Sequence, residues 1–106
     1  MSVDPKPAED ALKFLVDTGK DVLTLATQAR LKSHMLKHVE GLLVKGMSNQ
    51  GIPATLQEKY ARADDRFLEI DQEEAAAYGE WTSIQERRDT AKIAIQLYQS
   101  MVKDRS

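Results

Sequence analysis

From Leu56 to Val102 one set of residues recurs at alternating steps of four and three without a slip: Leu56, Tyr60, Ala63, Phe67, Ile70, Glu74, Ala77, Trp81, Ile84, Arg88, Ala91, Ile95, Tyr98 and Val102. Steps averaging about 3.5 residues keep one side of a helix turned toward a neighbour, which is the seam of a coiled coil. Sustained for about six heptads, the pattern predicts one helix of roughly 75 Å with a left-handed supercoil. Gly79 lies inside this run but off the seam. A turn at Tyr78 and Gly79 would shift the phase of everything after it, and the phase holds. A continuous helix is therefore expected, with the glycine costing about 1 kcal/mol relative to alanine. The rival architecture is a three-helix bundle broken near Gly79.

The chain divides at one place, "KGMSNQGIP" from Lys45 to Pro53, where two glycines, Ser48, Asn49 and Pro53 gather between periodic segments. Ahead of it, "DPKPAED" offers Asp4 as an N-cap, prolines where a first helical turn tolerates them, and Glu9 and Asp10 where they complement the helix dipole. Behind it, Thr55 stands three residues before Glu58, the capping-box spacing. The expected layout is all-α: helix one over about 5–46, a loop at 47–53 and helix two over about 55–103. These form a long antiparallel helical hairpin in a single helical domain.

Helix one carries its own stripe, Leu12, Leu15, Gly19, Val22, Ala26, Ala29, Ser33, Leu36, Glu40, Leu43 and Met47, whose small centre leaves room for large residues opposite. Folding the chain back about Gln50 sets Leu43 beside Leu56 and Tyr60, Leu36 beside Ala63 and Phe67, Val22 beside Ala77 and Trp81, and Leu15 beside Ile84 and Arg88. Basic Arg30, Lys32, Lys37 and Lys45 then face acidic Glu58, Asp64, Asp65, Glu69, Asp71, Glu73 and Glu74. Each exposed pair contributes only a few tenths of a kcal/mol, so the charges choose register more than they stabilise.

Leu25, Leu31, Met35, Val39 and Leu42 lie off that stripe and need a second cover, which dimerisation into a four-helix bundle supplies with fewest assumptions. Glu74 and Arg88 stand seven residues to either side of Trp81. An antiparallel meeting of two helix-two copies centred there would bring each Glu74 toward the other chain's Arg88, so these three residues are expected to set the dimer register. Long side chains reaching the bundle edge are the duller explanation.

A chain of 106 residues supports one small domain, and its 30% charged content suits long helices. A net charge of −2 argues against a protein built mainly to grip phosphates. No cysteine is present, which excludes disulfides, thiolate zinc sites and cysteine nucleophiles and fits a reducing, cytoplasmic setting. No apolar run reaches membrane-spanning length, and "MSVDPKPAED" lacks the parts of a signal peptide, so no membrane partner is expected.

Chemistry is sparsely furnished. His34 and His38 sit one helical turn apart, the spacing with which two imidazoles share a divalent metal, yet their predicted neighbours Arg62, Asp65 and Arg66 supply at most one carboxylate. Two surface histidines are the simpler reading, and neither a resident metal nor a cofactor is expected. No glycine-rich phosphate loop, nucleophile elbow or paired catalytic carboxylates can be recognised, so no enzyme is expected. "ARLKSHMLKH" could serve nucleic acid, but Arg30, Lys32, Lys37 and Lys45 spread around the helix without an aromatic platform. Trp81, Tyr60, Phe67 and Tyr98 fall on the seam and are read as core. Tyr78 and Phe14 do not, and join Leu31, Met35, Val39 and Leu42 as candidate protein-binding residues.

The length and helix-turn-helix layout look like the small secreted proteins named for a Trp-x-Gly motif. This chain has "SNQG" in its turn, places "GEW" mid-helix, and lacks the acid expected after Tyr98, so the motif is not carried. "YARADDRFLEID", Tyr60 to Asp71, followed by a long helical tail, resembles short helical accessory proteins encoded by phages and prophages. That resemblance implies a small protein that works by contact, regulating or inhibiting a host or phage enzyme, and carries over no functional residue. The expectation is a non-catalytic protein-binding module, homodimeric and engaging another protein, with nucleic-acid binding by the basic half of helix one as the alternative.

Overall fold

The computed structural model describes residues 3–105 and shows an all-α antiparallel hairpin. Its elements are α1 (Lys6–Asn49), α2 (Ala54–Ala63) and α3 (Asp65–Arg105), with α1 packed against α3. The start of α1 follows the sequence: the Asp4 carboxylate accepts the Lys6 N–H at 3.0 Å, and the Pro5 carbonyl accepts the Glu9 N–H at 3.0 Å. Asp4 is the N-cap and Pro5 occupies the first helical position, where its missing N–H would have had no partner.

At its other end α1 runs three residues past the expected 46. Gly46 stays helical, and the helix stops at Gly51, which takes φ +77. The Gly51 N–H donates to the Ser48 carbonyl at 3.1 Å and the Ile52 N–H to the Met47 carbonyl at 3.0 Å. These two bonds with a left-handed glycine make a Schellman stop, and Pro53 after it prevents resumption. The Thr55–Glu58 capping box does not form. Pro53 is the N-cap of α2 without a side-chain bond, so Thr55 lies inside the first turn. The Gln57 side-chain amide caps the loop instead by donating to the Ile52 carbonyl at 2.8 Å, while Glu58 pairs with Arg62 at 2.6 Å.

The expected single helix over 55–103 is interrupted once, at Asp64 rather than at Gly79. Asp64 adopts an extended backbone, φ −69 and ψ 139. Its N–H donates to the Ala61 carbonyl at 3.2 Å, closing α2, and its Oδ1 accepts the Arg66 N–H at 2.8 Å, opening α3. The Arg66 guanidinium folds back onto the same carboxylate, Nε to Oδ1 at 3.0 Å and Nη2 to Oδ2 at 3.1 Å. A short acidic side chain that competes for backbone N–H groups favours a cap over a helix interior, and here it serves two helices at once. Helix α3 passes through Gly79 without a bend residue, which removes the three-helix bundle broken there.

The break moves the inward face. From Phe67 to Tyr98 every predicted seam position is buried or half-buried, but in α2 the predicted Leu56, Tyr60 and Ala63 are exposed. Ala61, at 0% exposure, takes their place, a slip of one residue. In α1 the stripe holds from Leu15 to Met47, while Leu12 is exposed and Ala8 and Ala11 are buried instead.

The chain divides into two compact units. One comprises the start of α1 up to Thr24 with α3 from Glu80 on, and its buried residues are Ala8, Ala11 and Ala91. The other, Leu25–Gly79, has a core of Leu43, Ala61 and Phe67, with Leu36, Val39, Val44 and Met47 packed against it. Leu36 therefore packs on the cluster that holds Phe67, its neighbour in the fold-back register. Among the described residues no helix is long and apolar enough to cross a membrane.

Candidate protein-binding surfaces

In the unit Leu25–Gly79, α1 buries Ala29 and Leu43 and half-buries Leu36, which turns Leu31, Met35 and Leu42 away from the core. All three stay exposed, Leu42 at 56%. Two residues of the predicted leftover set behave differently. Leu25 is half-buried, and Val39 packs on the Leu43–Ala61–Phe67 cluster, because a residue four before Leu43 lies on the same flank of the helix. Met35, Val39 and Leu42 line one wall of a cleft of about 430 Å³ whose other wall carries Arg66, Glu69 and Glu73.

The charges at this cleft are already engaged in part. Lys32 Nζ lies 2.8 Å from the Glu73 carboxylate, the pairing of basic α1 with acidic α3 that the sequence predicts. The Arg66 side chain, and after it the Arg66 N–H, hold the Asp64 carboxyl below its ordinary range, and the same bond raises Arg66. Arg62 reaches toward Glu40 at 3.7 Å. Arg30, Lys37 and Lys45, the other members of the basic strip, are exposed.

His34 and His38 open onto a shallow surface shared with Leu31, Met35 and Val39. The predicted acidic neighbour Asp65 is not part of it. Among the described residues no three His, Cys, Asp or Glu side chains are grouped to hold a metal ion.

In the other unit, two consecutive arginines of α3 clasp one turn of α1. Arg88 Nη1 donates to the Leu15 carbonyl at 2.7 Å and to the Thr18 hydroxyl at 2.6 Å, and Thr18 in turn donates to the Phe14 carbonyl at 2.6 Å. Arg87 lies over the Phe14 ring, 4.7 Å from its centroid, as a cation–π contact. Phe14 is thus half-buried under Arg87 rather than presented alone. Arg88, expected to meet the other chain's Glu74, has partners on α1 of its own chain, and Glu74 and Trp81 are half-buried. The sequence register set Leu15 beside Arg88 but did not recognise Thr18, whose hydroxyl supplies the acceptor.

Beyond this clasp, Ile93, Leu97 and Met101 are exposed one turn apart on α3, while Ala91, Ile95 and Tyr98 occupy its inward side. In the sequence these three residues stand off the seam, and Met101 falls at the end of helix two near Tyr98 to Arg105, the second region expected to dock a partner. Tyr78 is also exposed. Comparison with protein families, with curated proteins and with solved structures finds no match to the chain.

Proposed function

We propose that this chain is a non-catalytic protein-binding module, an adaptor, regulator or inhibitor that works by contact in the manner of phage-encoded accessory proteins. The observation that carries the reading is the row Ile93, Leu97 and Met101, exposed at one-turn intervals on a helix whose opposite side is already packed. A row of that spacing fits the apolar face of a partner helix or groove, and methionine adapts its shape to the surface it meets. The buried set of the described residues is mostly alanine, so large apolar side chains are directed outward more than a self-sufficient core requires.

The test is affinity capture from the native host with wild type and Leu97→Glu, a surface change that leaves the packed side of α3 alone. A protein retained by wild type and lost by Leu97→Glu supports the reading. Capture of none, together with oligonucleotide binding that weakens as salt rises, replaces it with the nucleic-acid alternative.

A further inference from the structure

The row on α1 has a different occupant. We infer that a second copy of this chain covers Leu31, Met35 and Leu42, with the two α1 helices antiparallel about a two-fold axis between residues 36 and 37; this deepens the protein-binding reading by naming one partner. Two observations carry it. The first is area. The chain exposes 8009 Å², where a compact chain of 11.9 kDa exposes about 5,900 Å². The surplus of roughly 2,100 Å² is spread over the whole chain, and exposed Leu31, Met35 and Leu42 contribute to it; a large homodimer interface takes about 1,000–2,500 Å² a side.

The second is self-complementarity. Leu31, Met35, His38 and Leu42 follow steps of four, three and four, a short second seam distinct from the one turned toward α3. A two-fold axis at its midpoint sets Leu31 against Leu42 of the second copy and Met35 against His38 of the second copy. Antiparallel coiled coils pair unlike seam positions in this way, and an isologous contact must match its own surface. The flanks agree. Gly41 has open space where a Cβ would stand, so a second helix can approach closely. Lys32, the charged flank residue, is bonded to Glu73 and turned from the seam. The seam ends at exposed Gln28 and Lys45, which the same axis brings together as a hydrogen-bonding pair. Arg66, Glu69 and Glu73, the opposite wall of the cleft lined by Met35 and Leu42, stand at the rim of this contact.

The mass of the full chain in solution, by sedimentation equilibrium, is expected to be twice 11.9 kDa. Leu42→Glu should halve it with helicity unchanged by circular dichroism, while Leu97→Glu should leave it doubled. Orientation is read separately, since the chain has no cysteine of its own. Mixing Leu31→Cys with Leu42→Cys chains under oxidation should yield the mixed disulfide in large excess over either variant alone. A monomeric mass at every concentration overturns the inference, as does a dimer indifferent to Leu42→Glu or a disulfide joining two Leu31→Cys chains. None of those results touches the capture experiment on Leu97, so the two readings fail separately.

Discussion

Arg88 on α3 hydrogen-bonds the main-chain carbonyl of Leu15 on α1 at 2.7 Å, and the same nitrogen reaches the Thr18 hydroxyl at 2.6 Å. A charged seam residue is thereby satisfied within its own chain and ties the helices at one level. Bonds to a charged donor contribute on the order of 1.5–3 kcal/mol, and Arg88 is only half-buried, so Arg88→Ala is expected to destabilise by about 1–2 kcal/mol. Denaturant unfolding of Arg88→Ala, Thr18→Ala and the double variant gives the coupling. Strict additivity would mean the Thr18 bond contributes nothing.

Asp64 makes stability depend on pH in acid. Its carboxyl is held below the ordinary 3.8 by Arg66, first through the side chain and then through the backbone N–H. A depressed folded-state value means the contribution is present above pH 3.8 and is lost as pH falls through the lower folded value. Asp64→Asn keeps an oxygen that can accept the Arg66 N–H but removes the charge. Its helicity at neutral pH should stay near wild type, and its stability should fall less than wild type's as pH drops below 3.8. Parallel acid titrations followed by circular dichroism check this, and an equal loss in the two proteins would refute it.

The sequence announced some of these features and concealed others for physical reasons. Asp4 before two prolines is a short-range signal and nothing competes with it. At the end of α1 two glycines compete; Gly51 wins because Pro53 two residues on cannot continue the helix, and the Ile52 N–H closes the stop onto the Met47 carbonyl. Thr55 and Glu58 matched a capping spacing, but a helix begun at Ala54 puts Thr55 too far inside to cap. The Asp64 break was hidden by rhythm. Leu56, Tyr60 and Ala63 continue the seam on paper, and the local bonds of Asp64 to Arg66 outweigh that pattern. On the candidate surface, Leu31, Met35 and Leu42 were legible as residues off the seam. Val39 was not, because it borders both faces.

The two glycines should respond oppositely to alanine. Gly51 has φ +77 and a Cβ there is strained whatever the space around it, so Gly51→Ala should destabilise by about 1–2 kcal/mol. Gly79 is mid-helix with open space around its α-carbon, and Gly79→Ala should stabilise by up to about 1 kcal/mol. Thermal melts of the two variants check both signs. A destabilised Gly79→Ala would show that the helix needs freedom at that point.

The slip at Asp64 makes Ala61 and Tyr60 exchange the roles that the seven-residue rhythm assigns them. Ala61 is 0% exposed against Leu43 and Phe67, whereas Tyr60 is 48% exposed. A larger side chain at position 61 has nowhere to go in that cluster, so Ala61→Leu should destabilise by about 1–3 kcal/mol through overpacking. Tyr60→Ala removes far more atoms, yet from the surface, and should change stability by less than about 0.5–1 kcal/mol. Had the seam run unbroken, the order would be reversed, with the tyrosine truncation costing several kcal/mol as a core deletion of about 3–5 kcal/mol does. Chemical denaturation of the two variants side by side decides which face of α2 looks inward.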